Sequence, residues 1–294
     1  MSKKNKSIYI MSTQNGSGKK AAVVGLYKNI EEYNKKPGYF KPIGNPFNDV
    51  ITETGKYVNI IHKVLKRKYS KDEISPIFIS PTSFLDEIPL EEVDEIKNHI
   101  KNTFKDIADE SDIVLVEGNH FYQQMNSIGL NDTALAKLLG SEVVLISRCD
   151  NDTDLDKVLY AAEKINNKNL VLKGVIFSNV SDLQMVKINE KYTKILAKKQ
   201  IELLGTIPKS RVLNTPTITE VIGATQGKLL KGDNDTIKNT HIKKFINRAM
   251  QSTDALAYMR KGQNLGVITG GDRSDIIVTS VEVGVSVIVL TGNL

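Results

Sequence analysis

The residues best suited to chemistry lie near the start of the chain. Thr13-Gln14-Asn15-Gly16-Ser17-Gly18 leads into Lys19-Lys20. Gly16 and Gly18 allow the backbone to turn its N–H groups toward an anion, and a helix starting at Lys19 adds a partial positive charge. In the strict phosphate-loop pattern, G-x-x-x-x-G-K-[ST], the lysine reaches the outer phosphates and the hydroxyl holds Mg²⁺. Here Thr13 replaces the first glycine and Lys20 replaces the hydroxyl. An ammonium cannot ligate a cation, so anion binding through Thr13, Asn15, Gly16, Ser17, Gly18, Lys19 and Lys20 is expected, while metal-assisted phosphoryl transfer is left open. The bland alternative is an ordinary polar turn. The surroundings argue against it: Ile8-Tyr9-Ile10-Met11 reads as a buried strand, and Val23, Leu26, Tyr27 and Ile30 form one face of a helix.

Other candidates stand where strands should end. Tyr39 to Gly44 reads as a short strand with Lys41 near its carboxyl end, the place where open α/β sheets bind ligands. The alternative for Lys41 is a surface lysine beside a turn. Val114-Leu115-Val116 is a buried parallel strand followed directly by Glu117 and Gly118, so Glu117 is expected either to serve Mg²⁺ as a Walker-B acid or to cap the next loop, with the first preferred. His120 reads as a surface loop residue. Asn179 follows another strand; its amide suits a nucleotide base edge or a turn equally. Gly270-Gly271-Asp272-Arg273 is a strand-to-helix loop, either a second anion site or an interface.

The elements that must position these residues alternate β and α. Strands are expected at Glu142–Ser147, Leu170–Phe177 and Ile201–Pro208. Helices are expected at 54–68, from Pro89 through Ile107, at Asn131–Leu139, from an Asp152-Thr153 cap to Ile165, and at 182–199. This is an α/β fold, a doubly wound and mostly parallel sheet, with a boundary near Lys209 that divides the chain into 1–208 and a smaller α/β part, 209–294. In the second part helices are expected at Thr217–Leu230, Thr240–Met250, Thr253–Lys261 and Ile276–Val283, and strands at Gly266–Thr269 and Val285–Leu290.

Composition narrows the class. With 294 residues, 25% charged and 40% hydrophobic, the chain can bury full cores. No apolar run approaches the ~20 residues of a membrane span. Cys149 is the single cysteine, which fits a reducing compartment and a cytoplasmic location. Net charge is +6, but the lysines are interleaved with acids and lack an aromatic stripe, so neither nucleic acid nor membrane is the expected partner.

Taken together, Thr13 to Lys19, Tyr39-Phe40-Lys41-Pro42, Val114 to Gly118, Gly174 to Asn179 and Leu204 to Pro208 resemble the dethiobiotin synthetase and cobyrinate amide synthase branch of the P-loop proteins. Ile268 to Ile276 resembles the DRTGG domain. In that order the two parts resemble the N-terminal region of long phosphate acetyltransferases and archaeal phosphotransacetylase-like proteins. The resemblance implies Gly16, Gly18 and Lys19 on the triphosphate of ATP, Lys41 on phosphate or substrate, Glu117 and Asp49 on Mg²⁺, and Asn179 on adenine. Lys20 and the Asn119-His120-Phe121 run after Glu117 depart from the synthetase pattern. The resemblance implies an ATP-binding regulatory or accessory protein that binds a nucleotide or small anion and forms a homo-oligomer, with a Mg-ATP-dependent ligase as the alternative. It does not imply acetyl transfer, whose domain would lie beyond residue 294. The DRTGG-like part is expected to be incomplete at its end.

Overall fold

β1, Lys6–Ser12, forms where the apolar run is expected and is buried from Tyr9 to Ser12. It lies near the centre of a six-stranded sheet ordered β2-β5-β1-β6-β7-β8. The flanking strands are β2 (Pro37–Phe40), β5 (Ile113–Glu117), β6 (Glu142–Arg148), β7 (Leu172–Val180) and β8 (Leu203–Pro208), and every pairing is parallel. The computed structural model describes residues 6–44, 74–210, 215–225, 227–232, 240–247 and 264–292. The chain divides into two compact units, Met1–Lys209 and Ser210–Leu294.

The near-continuous apolar runs of β5 and β6 reflect burial on both faces, as parallel strands covered by helices require. α1 (Lys19–Glu32) follows β1 and buries Ala22, Val23 and Tyr27. α2 (Val93–Asp109), preceded by a 3₁₀ turn at Leu90–Glu92, buries Val93, Ile100, Phe104 and Ile107, the helical spacing read in the sequence. α3 (Asp132–Leu139) is capped by Asn131, which accepts from the Ala134 amide at 2.9 Å. α4 (Thr153–Asn167) buries Leu155, Val158, Ala161, Ala162 and Ile165.

Several expectations need correction. The Tyr39–Gly44 strand breaks after Phe40, and β3 (Ile43–Gly44) pairs instead with β4 (Ile77–Phe78) in a separate ladder. Pro42 has no N–H to continue the first ladder. Asp152 does not cap α4 with its side chain; it accepts from Lys187 at 2.8 Å and Tyr192 at 2.5 Å. The first helical amide, Thr153, donates instead to Asn151 Oδ1 at 3.0 Å, and Asp154 accepts from the Asp150 and Asn151 amides just before the helix. The basic helix at 182–199 is interrupted by a π turn at Ile188–Tyr192. The helix expected at 54–68 lies outside the described residues.

In the second unit α5 spans Ile218–Thr225 and stops short of the expected Leu230. The Gly227 amide closes onto the Ile222 carbonyl at 3.1 Å. β9 (Lys244–Asn247), β10 (Leu265–Gly270) and β11 (Val287–Thr291) form a three-stranded parallel sheet ordered β11-β10-β9. β9 overturns the helix expected at Thr240–Met250. Its Phe245-Ile246 pair is too short for periodicity to separate strand from helix. Phe245 stands opposite Gly266, and its ring occupies the space that a side chain there would need. Residues 253–261 lie outside the described set. α6 (Ser274–Val283) packs Ile276 against Leu265 and Val267.

Phe40 is fully buried and meets Phe104 edge-on, with ring centroids 5.6 Å apart, which ties β2 to α2. Phe40→Ala should cost about 3–5 kcal/mol in urea unfolding at an unchanged m-value. A loss under about 1 kcal/mol would show that this contact does not anchor β2.

Candidate functional site

Because all six strands run parallel, their carboxyl ends open on one edge, and strand order reverses at β1. Open α/β sheets bind ligands at such a crevice. The loop Thr13–Gly18 leaves β1 there and enters α1. Gly16 (φ 72°) and Gly18 (φ 78°) are left-handed, while a Cβ at Gly16 would meet open space and one at Gly18 only an ordinary contact with Ser178 at 3.8 Å. The glycine requirement is therefore conformational, not steric.

Three elements pin this loop. Thr13 and Ser147, at the end of β6, share a hydroxyl hydrogen bond of 2.8 Å. Ser178, near the end of β7, donates to the Ser17 carbonyl at 2.7 Å. Lys157 on α4 donates to the Gln14 side chain at 2.7 Å. Within the loop, Ser17 donates to the Gln14 carbonyl, and the Gly16 amide donates to Asn15 Oδ1 at 2.8 Å.

Lys19 is 9% exposed. Its ammonium donates to Ser12 Oγ at 2.6 Å and to the His120 carbonyl at 3.1 Å. Ser12 also donates to that carbonyl, at 2.8 Å. His120 thus serves the site through its backbone. Burial lowers the Lys19 pKa; Asp132 and Glu117 oppose that shift, while the Lys41 and Lys20 charges reinforce it. Lys20 is half-buried.

Strand register brings Lys41 to Glu117. Phe40 pairs with Val116, so the residues that follow each lie side by side. The Lys41 ammonium stands 3.8 Å from Glu117 Oε1, and Tyr39 donates to Glu117 Oε2 at 2.9 Å. Lys41 and Glu117 are 8% and 3% exposed. Asp49 lies outside the described residues.

Asp132, at the first turn of α3, was not singled out from sequence. It is wholly buried and accepts from Tyr9 Oη at 3.1 Å and from the Asn119 amide at 2.8 Å. Its Oδ2 has no hydrogen-bond partner among the described residues. Any side chain at Gly118 would collide with that oxygen, so the glycine after Glu117 is fixed by close approach. In the sequence Asp132 reads only as a helix-start acid, and no local signal places it opposite Tyr9, more than a hundred residues away. Burial raises its pKa to about 6, against the stabilising effects of the Asn119 amide, Lys19 and Tyr9.

Asn179 takes a left-handed conformation (φ 56°) at the end of β7 and donates to Asp150 Oδ1 at 3.1 Å. In the second unit, Asp272 folds against Gly270, and Arg273 holds Asp275 through two hydrogen bonds of 3.0 and 2.9 Å. An anion at that loop would compete with the Asp275 carboxylate.

Parallel order, glycine loop, buried lysine and strand-end acid together define a P-loop NTPase-like domain. Residues 6–217 match the AAA domain family AAA_26 and residues 220–294 match the DRTGG domain; the chain belongs to the AAA_26 family, with a DRTGG domain following. It is similar to phosphate acetyltransferase from Synechocystis, 25% identical over 280 residues, which cover 92% of this chain and 38% of that protein. The chain spans about two fifths of the length of the curated phosphate acetyltransferases from Synechocystis, Nitrosomonas europaea and Pseudomonas putida, 38%, 39% and 41%. It is also similar to ATP-dependent dethiobiotin synthetase from Methanocaldococcus jannaschii, 29% identical over 213 residues, covering 69% of this chain and 94% of that protein. Among solved structures, a plasmid partition protein from Borrelia burgdorferi aligns with TM-score 0.43 at 15% identity over 71% of this chain and 91% of that one. No described helix is long and apolar enough to cross a membrane.

The raised Asp132 pKa has a definite sign. A carboxyl that titrates at about 3.8 when unfolded and about 6 when folded stabilises the fold most below pH 4 and loses that contribution as pH rises through 6. The stability difference between the protein and Asp132→Asn should therefore shift against the carboxyl by on the order of 2–3 kcal/mol between pH 4 and pH 7 in urea titrations. A difference independent of pH would show that Asp132 does not titrate in this window.

Proposed function

We propose that the chain is a nucleotide-binding regulatory or accessory protein. Its first unit takes ATP or a related anion on the Thr13–Lys20 loop, and its second unit self-associates or senses a ligand. The observation that carries this reading is the placement of Lys19: a buried ammonium at the mouth of a left-handed glycine loop, at the crevice edge of a parallel sheet. Its present acceptors are a hydroxyl and a carbonyl, which an anionic phosphate outcompetes as a charged partner. Asn179 and Asp150 offer an amide and a carboxylate to a base. In the second unit Val278 and Val281, one turn apart on α6, are 55% and 67% exposed, which supports self-association through that helix.

A Mg-ATP-dependent ligase is the second reading. It is favoured by Glu117 at the end of β5 and by similarity to a dethiobiotin synthetase over nearly all of that protein's length. ADP release in the presence of Mg²⁺ and a carboxylate or amine substrate would support it.

The deciding experiment is thermal unfolding with ATP and ADP. Ligand at a hundred times Kd should stabilise the first unit by ~2.7 kcal/mol. Lys19→Ala should remove the shift while remaining folded by circular dichroism. No shift with either nucleotide for the unsubstituted chain would refute nucleotide binding.

A further inference from the structure

Resting on the nucleotide-binding reading, we propose that this site takes its polyphosphate ligand without a divalent cation. The ammonium groups of Lys20 and Lys41 supply the positive charge there.

Among the described residues, each protein group that would hold Mg²⁺ in a P-loop site is replaced or engaged. Lys20 stands at the hydroxyl position, and a protonated amine has no lone pair to give a metal. Glu117 carries a hydrogen bond from Tyr39 on one oxygen and faces the Lys41 ammonium with the other. Asp132 Oδ2 lacks a partner, but it lies wholly buried beneath Gly118. Mg²⁺ sheds its waters reluctantly and keeps several when bound, so this enclosed oxygen does not suit it. The donor set, as far as the described residues extend, does not fit the ion.

The same residues do fit a bare polyphosphate. Lys19 binds Ser12 at the end of β1, Lys20 follows it in the first turn of α1, and Lys41 faces Glu117 at the end of the adjoining β5, so three ammoniums gather at one end of the sheet. Glu117 and Asp132 offset part of that positive charge, and what remains favours a multiply charged anion over one already half-neutralised by a metal. Left-handed Gly16 and Gly18 add backbone donors.

Calorimetric titration of ATP in EDTA and in excess Mg²⁺ tests this. The unsubstituted chain should bind in EDTA with an affinity within threefold of that in Mg²⁺, or tighter. Lys20→Thr, which restores the hydroxyl, should bind at least tenfold more tightly with Mg²⁺ than without. Lys20→Met, which keeps the stem and removes the charge, should weaken binding in EDTA at least tenfold. Affinity of the unsubstituted chain that rises more than threefold with Mg²⁺ overturns the proposal and leaves nucleotide binding intact. A Lys20→Thr variant indifferent to Mg²⁺, or a Lys20→Met variant with undiminished affinity, also overturns it. Absence of ATP binding in both buffers overturns the nucleotide-binding reading itself.

Discussion

The first unit depends on keeping four ionisable side chains out of water at one end of its sheet. Lys19, Lys41, Glu117 and Asp132 are all less than a tenth exposed. Isolated, each would be costly to bury; clustered, opposite charges and hydrogen bonds offset much of that cost. The arrangement follows from register. β2 beside β5 sets Lys41 against Glu117, β1 beside β5 brings Ser12 near the loop that follows Glu117, and Tyr9 and Tyr39 reach from neighbouring strands to hold the two carboxylates. A slip of one residue would turn these groups to the opposite face of the sheet.

The glycine loop is supported by strand ends that contribute little conventional chemistry. Thr13, Ser147 and Ser178 are buried hydroxyls whose bonds fix the loop on β6 and β7. Their value is geometric. On the nucleotide-binding reading, a loop whose N–H groups would converge on an anion needs an immobile base, and short hydroxyl side chains hold it without filling the crevice.

Much of the first unit was legible in the sequence because it is written in local pattern. Consecutive β-formers marked β5 and β6, helical spacing marked α2, and Gly16 and Gly18 between strand and helix marked the loop. Lys41 and Glu117 could be named because both follow strands, although their pairing required the register. Asp132 was not legible, since its role rests on contacts with Tyr9 and Asn119 that no local signal encodes. The second unit was harder for a related reason. β9 is four residues long and lies in a lysine- and asparagine-rich stretch, so its identity comes from pairing with β10 rather than from propensity.

The Asn15 side chain has a consequence for ligand selection. It holds the Gly16 amide, so the loop rests on an internal surrogate for part of an anion. An incoming oxygen gains only the difference between its own bond and the one it displaces. Small, weakly held anions therefore have little advantage at that amide, whereas a ligand that engages several donors at once outbids the surrogate. On the nucleotide-binding reading, the resting loop would act as a threshold filter, quiet toward small background anions and responsive to multidentate ones.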